Sequence, residues 1–199
     1  MLAKYPSTAE TGADASIESG FSILEVLVAI TIVTVAVAAL AQLFALSTRA
    51  NSSARATTYA AVLAQQKMEQ LRGLTWGFDV LGLPTTDTTT DLTVVPEAAA
   101  GGKGLSPSPE HSLGTNTEGY CDFVDKFGKP LGGGATPPAG TAYIRRWSVE
   151  PLPTNPNNTI VLQVLVAPFP GRNDVDTSST GVRAPDEARL VSVKTRKAS

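Results

Sequence analysis

The chain has 199 residues, 16 basic and 18 acidic side chains and a formal net charge of −2, with only 17% charged residues. That length suits one domain plus appendages, and the near-neutral balance gives no bulk reason to expect nucleic acid. One histidine and one cysteine exclude an intramolecular disulfide, most histidine-based metal sites and histidine-assisted triads.

Residues 1–20, MLAKYPSTAETGADASIESG, are polar. A conventional secretory signal carries its hydrophobic region before the cleavage site, and this stretch has none. After Gly20 the character changes abruptly to FSILEVLVAITIVTVAVAALAQLFALST, which contains a single charge, Glu25. From Val26 to Leu46 the run is apolar and about 20 residues long, enough to cross a bilayer core as a helix. Its many β-branched residues favour strand in water. In lipid a lone strand leaves its backbone groups unpaired, whereas a helix pairs them internally.

The opening Gly20-Phe21-Ser22-Ile23-Leu24-Glu25-Val26-Leu27 strongly resembles the cleavage and methylation motif of type IV prepilins and type II secretion pseudopilins. The resemblance lies in a small residue, then Phe, a short hydroxyl-and-aliphatic run, Glu at the fifth place and unbroken hydrophobics. It implies that residues 1–20 are a leader cut after Gly20 by a prepilin peptidase, with N-methylation of Phe21. Glycine suits the cut because the missing Cβ lets backbone lie close to a protease. The resemblance also implies that Glu25 pairs with the new amine of Phe21 in an adjacent subunit. Two charges 4 Å apart attract by about 4 kcal/mol at an effective dielectric near 20. A Glu at headgroup level in a first helical turn, favoured there by the helix dipole, is the plainer reading. The leader carries Lys4 against Glu10, Asp14 and Glu18, and Arg49 and Arg55 follow the span, so a cytoplasmic N-terminus rests on the motif and not on loop charge.

No Gly or Pro interrupts Phe21–Arg72, so one helix is predicted through both halves, about 75 Å long at 1.5 Å per residue. Residues 21–48 form its membrane or filament-core part and 49–73 an amphipathic part. In the latter, Thr57, Ala61, Ala64, Met68 and Leu71 make one stripe. Lys67 and Arg72 suit a helix C-terminus, and Gly73 is the expected cap.

Residues 74–199 read as a loop-rich β domain. Residues 75–119 are turn and linker composition, with a short strand predicted at 92–96. Asp87 and Asp91 lack the pattern of a calcium loop. His111 reads as a surface loop residue, and Cys121 as a small buried residue, with an intermolecular link as the alternative. GYCDFVDKFGKPLGGG at 119–134 predicts a strand, a turn at Lys126–Gly128 and a flexible glycine run. AYIRRWSVEPL alternates. Tyr143, Arg145, Trp147 and Val149 share one face, which we expect toward the helix, with Arg145 snorkelling or pairing at the edge; the opposite assignment stays open. NPNN at 155–158 is a turn, and TIVLQVLVAPF a buried strand stopped at Pro168. Residues 170–186 are polar loop, and EARLVSVKTRK is the last strand. The fold expected is α+β: a long N-terminal helix on an antiparallel meander of three or four strands. The pattern of these strands is similar to that of PilV-like minor pilins and the pseudopilin GspI.

No catalytic constellation or phosphate-cradling glycine loop appears, and neither enzyme activity, a metal nor a cofactor is expected. By resemblance the chain is a minor pilin of a type IV pilus. It would sit in the inner membrane with a periplasmic C-terminal domain before joining a filament, its partners being other pilins, the prepilin peptidase and the membrane. The alternatives are a type II secretion minor pseudopilin and a pilus-tip subunit that binds a surface or DNA. For DNA, Arg145, Arg146, Lys194, Arg196 and Lys197 are the candidate basic patch; a solvated strand face is favoured, because no aromatic stacking array accompanies them. A plain anchored or secreted envelope protein, cut at the A-x-A triplets 36–38 or 39–41, gives Glu25 no purpose.

Overall fold

The computed structural model describes residues 20–169 and 186–196. Residues 1–19 of the leader, nearly all of the polar stretch 170–186 and Lys197 lie outside the described residues. Helix α1 (Ile23–Gly73) is followed by β1 (Trp76–Phe78), β2 (Pro84–Thr86), β3 (Cys121–Val124), β4 (Pro130–Gly133), β5 (Tyr143–Pro151), β6 (Thr159–Pro168) and β7 (Ala188–Thr195). The arrangement is α+β, with one long helix, apolar toward its N-terminus, and a small antiparallel sheet. Backbone packing divides the chain into two units between Ser47 and Thr48.

In the first unit Ser22 caps α1. Its hydroxyl accepts the Leu24 N–H at 3.3 Å and its carbonyl the Val26 N–H at 3.1 Å, the N-cap role that serine favours. Every residue from Gly20 through Ser52 is exposed, including large apolar side chains such as Ile30, Val35 and Phe44. The two threonines of the run satisfy themselves: Thr31 donates to the Leu27 carbonyl at 2.8 Å and Thr34 to the Ile30 carbonyl at 2.7 Å. Thus backbone and hydroxyls alike are paired within the helix, as hydrocarbon requires. By length and composition the helix can cross a membrane.

In the second unit the main sheet runs β4-β3-β5-β6-β7, entirely antiparallel, and β1 and β2 form a separate hairpin. The expected meander of three or four strands is therefore replaced by five. β5–β6–β7 is a meander, but β4 folds back outside β3 while β5 pairs with the other edge of β3. The predicted flexible glycine run is largely strand β4. Gly133 is needed for close approach: a Cβ there would lie 2.6 Å from the Cys121 carbonyl oxygen and 2.7 Å from Thr93.

The C-terminal part of α1 buries Ala60, Leu63, Ala64, Lys67, Met68 and Leu71. This corrects the predicted stripe. Ala61 is exposed and Thr57 half-buried, while Ala60 and Leu63 point into the core. Paired positions one residue apart make a broader face than a single 4-3 row. Trp147, Val149, Ile160, Leu162, Val164 and Val166 meet that face, and Trp147 and Val149 lie on the helix side as expected. Cys121, Phe123 and Ile144 form a second cluster with Leu131. Gly73 does not take the positive φ of the expected cap. The helix ends instead on Lys194, whose ammonium donates to the carbonyls of Arg72 and Leu74.

Residues 92–96 form no strand. One isolated bridge, Asp91 to Ala98, closes a turn there. The Asp91 carboxylate accepts the Thr93 N–H at 2.8 Å and its hydroxyl at 2.6 Å. Asp87 likewise accepts the N–H groups of Thr89 and Thr90 and the Thr90 hydroxyl. Both are aspartates folding their own turns, a competition that strand propensity alone does not register. Partial burial raises the Asp87 pKa, but the hydrogen bonds from Thr90 and Thr89 outweigh it and hold the carboxyl below its ordinary value.

Candidate functional site

The first candidate is the head of α1. Gly20 and Phe21 precede the helix as exposed, non-helical residues, and Glu25 is the acid in the first helical turn, also exposed. Phe21 is 82% exposed. A capped helix start, an accessible peptide bond before it and a carboxylate one turn in are what this segment presents.

The second lies at the heart of the folded unit and was not foreseen as a site. Lys67 from α1, Asp122 from β3 and Arg145 from β5 form a buried ion cluster. Lys67 Nζ lies 2.7 Å from Asp122 Oδ2. Arg145 grips the same carboxylate with two bonds, Nε to Oδ1 at 2.6 Å and Nη2 to Oδ2 at 2.8 Å, the planar fork-on-fork geometry that guanidinium favours. Arg145 Nη1 also donates to Gln66 Oε1 at 3.2 Å. Lys67 Nζ donates to the Leu92 carbonyl at 2.5 Å and stands 4.6 Å from the centre of the Trp147 ring. All three charged residues are at most 1% exposed.

Two expectations are corrected here. Lys67 does not serve the helix C-terminus from solvent, and Arg145 neither snorkels nor pairs at an edge. Both turn inward because one carboxylate on the neighbouring strand offers them a shared partner. Asp122 lies opposite Arg145 in the β3–β5 register, so the strand pairing itself sets the bidentate contact. One carboxylate joins helix and sheet, and the Lys67 ammonium ties in the 92–98 turn through the Leu92 carbonyl.

Two cations share one anion, so the cluster holds an excess positive charge in a dry place. Burial lowers the Lys67 pKa from 10.5 to about 8, against the pull of Asp122 and, more weakly, Glu97, and with the push of Arg145. A cation whose folded pKa is depressed binds fewer protons folded than unfolded between those two values, so stability rises with pH there. Relative to Lys67→Met, the wild-type chain is expected to gain stability from pH 8 to 10.5. Denaturant titrations of both proteins across that range check this, and parallel curves would contradict the lowered Lys67 pKa.

Among the described residues neither the candidate basic patch nor the favoured solvated strand face forms. Arg145 is spent on Asp122. Arg146 Nε donates to Asn116 Oδ1 at 2.9 Å. Lys194 holds the end of α1. Arg196 donates to the carbonyls of Asn157, Gly77 and Thr85 and lies 3.8 Å over the Trp76 ring. These cations stitch the fold together and are not a solvated row; Lys197 is outside the described residues. Cys121 is fully buried. Burial pushes its thiol above its ordinary value, and Sγ donates to the Gly134 carbonyl at 3.0 Å, so it is placed as a core residue. His111 is exposed in its loop. Among the described residues no three His, Cys, Asp or Glu side chains gather as a metal site.

No protein-family model, curated protein or solved structure matches this chain.

Proposed function

We propose that the chain is a type IV pilin-like structural subunit, a minor pilin, anchored in the inner membrane by the first part of α1. Its N-terminus faces the cytoplasm and its sheet unit the periplasm. Prepilin peptidase removes residues 1–20, Phe21 is N-methylated, and the freed helix joins a filament by packing against the helices of other pilins. The observation that carries this reading is the Gly20-Phe21…Glu25 sequence at the head of a helix whose apolar surface is exposed from Phe21 to Leu46.

An apolar helix of that length has two ways to leave water, lipid and other apolar helices, and a filament subunit uses both in turn. Glu25 is the cost of the first state and the specificity of the second. A lone carboxylate near hydrocarbon is unfavourable by up to roughly 3 kcal/mol, and a neighbouring amine offsets that. The same chemistry would serve a type II secretion pseudopilus. A DNA-binding tip subunit is the weaker reading, since the described cations of its patch are committed within the fold.

Co-expression with a prepilin peptidase tests the first step. The chain is expected to shorten by its first twenty residues, and Gly20→Val, which places a branched side chain at the cut, is expected to block shortening. Retention of full length beside active peptidase, or equal cutting of Gly20→Val, would refute it.

A further inference from the structure

On the outer face of β5, away from the ion cluster, the loop Ser108–Leu113 lines an open pocket of about 380 Å3 with Ser148 and Glu150. Successive strand residues point to opposite faces. With Trp147 and Val149 turned to the helix, Ser148 and Glu150 face this loop. Ser108 fastens the loop to the strand: its N–H donates to the Val149 carbonyl at 2.9 Å, and its hydroxyl accepts the Val149 N–H at 3.1 Å. His111 takes a φ of 61°, and its carbonyl accepts the N–H groups of Gly114 and Thr115 at 2.8 and 3.1 Å. The loop is thus a formed structure.

Two features of the lining call for a ligand. Ser112 and Ser148 are each 2% exposed, and neither hydroxyl has a hydrogen-bond partner among the described residues. Buried hydroxyls are ordinarily paired. Glu110 and Glu150 add two carboxylates, and no Lys or Arg lines the pocket.

We propose that this pocket binds a primary ammonium group. An ammonium is three donors and no acceptor, which complements carboxylate oxygens and serine hydroxyls that lack a partner among the described residues. An anionic ligand would meet two carboxylates. A neutral sugar would bring no counter-charge to the two carboxylates, and the one aromatic ring in the lining is the small His111 imidazole. The ammonium can come from a lysine side chain of another protein or from a free small amine.

The test is an amide NMR titration of the full chain in detergent micelles, with methylammonium chloride and with Nα-acetyl-lysine N-methylamide. Saturable shifts confined to residues 108–113 and 148–150 are expected. Glu150→Gln is expected to weaken binding about tenfold, as loss of one charge-assisted hydrogen bond would, with the sheet spectrum otherwise unchanged. Tighter binding of the lysine compound assigns a protein partner, and equal binding a free amine. Shifts reproduced by sodium chloride at equal ionic strength, insensitivity to Glu150→Gln, or saturation by methyl glucoside instead would overturn the proposal.

Discussion

Asp122→Asn is expected to destabilise the full chain by about 3–5 kcal/mol, the usual cost of removing one partner from a buried ion pair. For a chain of this size that lowers the melting temperature on the order of 10 °C. The reason is charge arithmetic. Asp122 is the anion that both Lys67 and Arg145 grip, and without it two cations face each other in the core. Lys67, already depressed to about 8, then sheds its proton at lower pH, so the variant is expected to recover stability as pH rises from neutral. Lys67→Met makes the contrast. It removes the surplus cation and leaves the neutral, bidentate Asp122–Arg145 pair, and apolar replacement of buried charge is often neutral or stabilising. The expected order of melting temperatures, followed by tryptophan fluorescence in detergent, is Lys67→Met near or above wild type and Asp122→Asn far below. The reverse order would show that the cluster is held by the lysine and not by the carboxylate.

Glu25→Ala is expected to leave the sheet unit folded, with the same melting behaviour, and to remove most of the chain from filaments. Nothing in the folded unit depends on Glu25, which is exposed in the first turn of α1. Under the proposed assembly its carboxylate meets the Phe21 amine of a neighbour with an attraction of about 4 kcal/mol. Even a third of that is about tenfold in occupancy. The readout is the amount of chain in filaments sheared from cells relative to membranes, with Glu25→Gln separating loss of charge from loss of bulk. Wild-type incorporation of both variants would make the carboxylate dispensable.

What could be read in advance follows from how local each signal is. The apolar part of α1 was legible because span length and an unbroken run without Gly or Pro are properties of contiguous residues. β5 was legible from alternation, and so was the face that Trp147 and Val149 present; β6 was legible as an apolar run stopped at Pro168, and β7 as the last strand-forming stretch. The ion cluster was not. Amphipathic reasoning sends lysine to solvent, and only the β3–β5 register brings Asp122 beside Arg145 and beneath Lys67. The glycines of β4 read as a linker because nothing local reports that Cys121 and Thr93 crowd Gly133. The basic residues near the C-terminus looked like a surface for the same reason. The carbonyls that Lys194 and Arg196 hold come from the end of α1 and from the 74–86 and 157 turns, far away in sequence.

The most direct test of the proposed role is mass spectrometry of the N-terminus of the protein recovered from cell membranes and sheared filaments. The account expects a chain that begins at N-methylated Phe21. A chain that retains Met1, or one that begins near residue 39 or 42 as a signal cleavage would leave it, would contradict it.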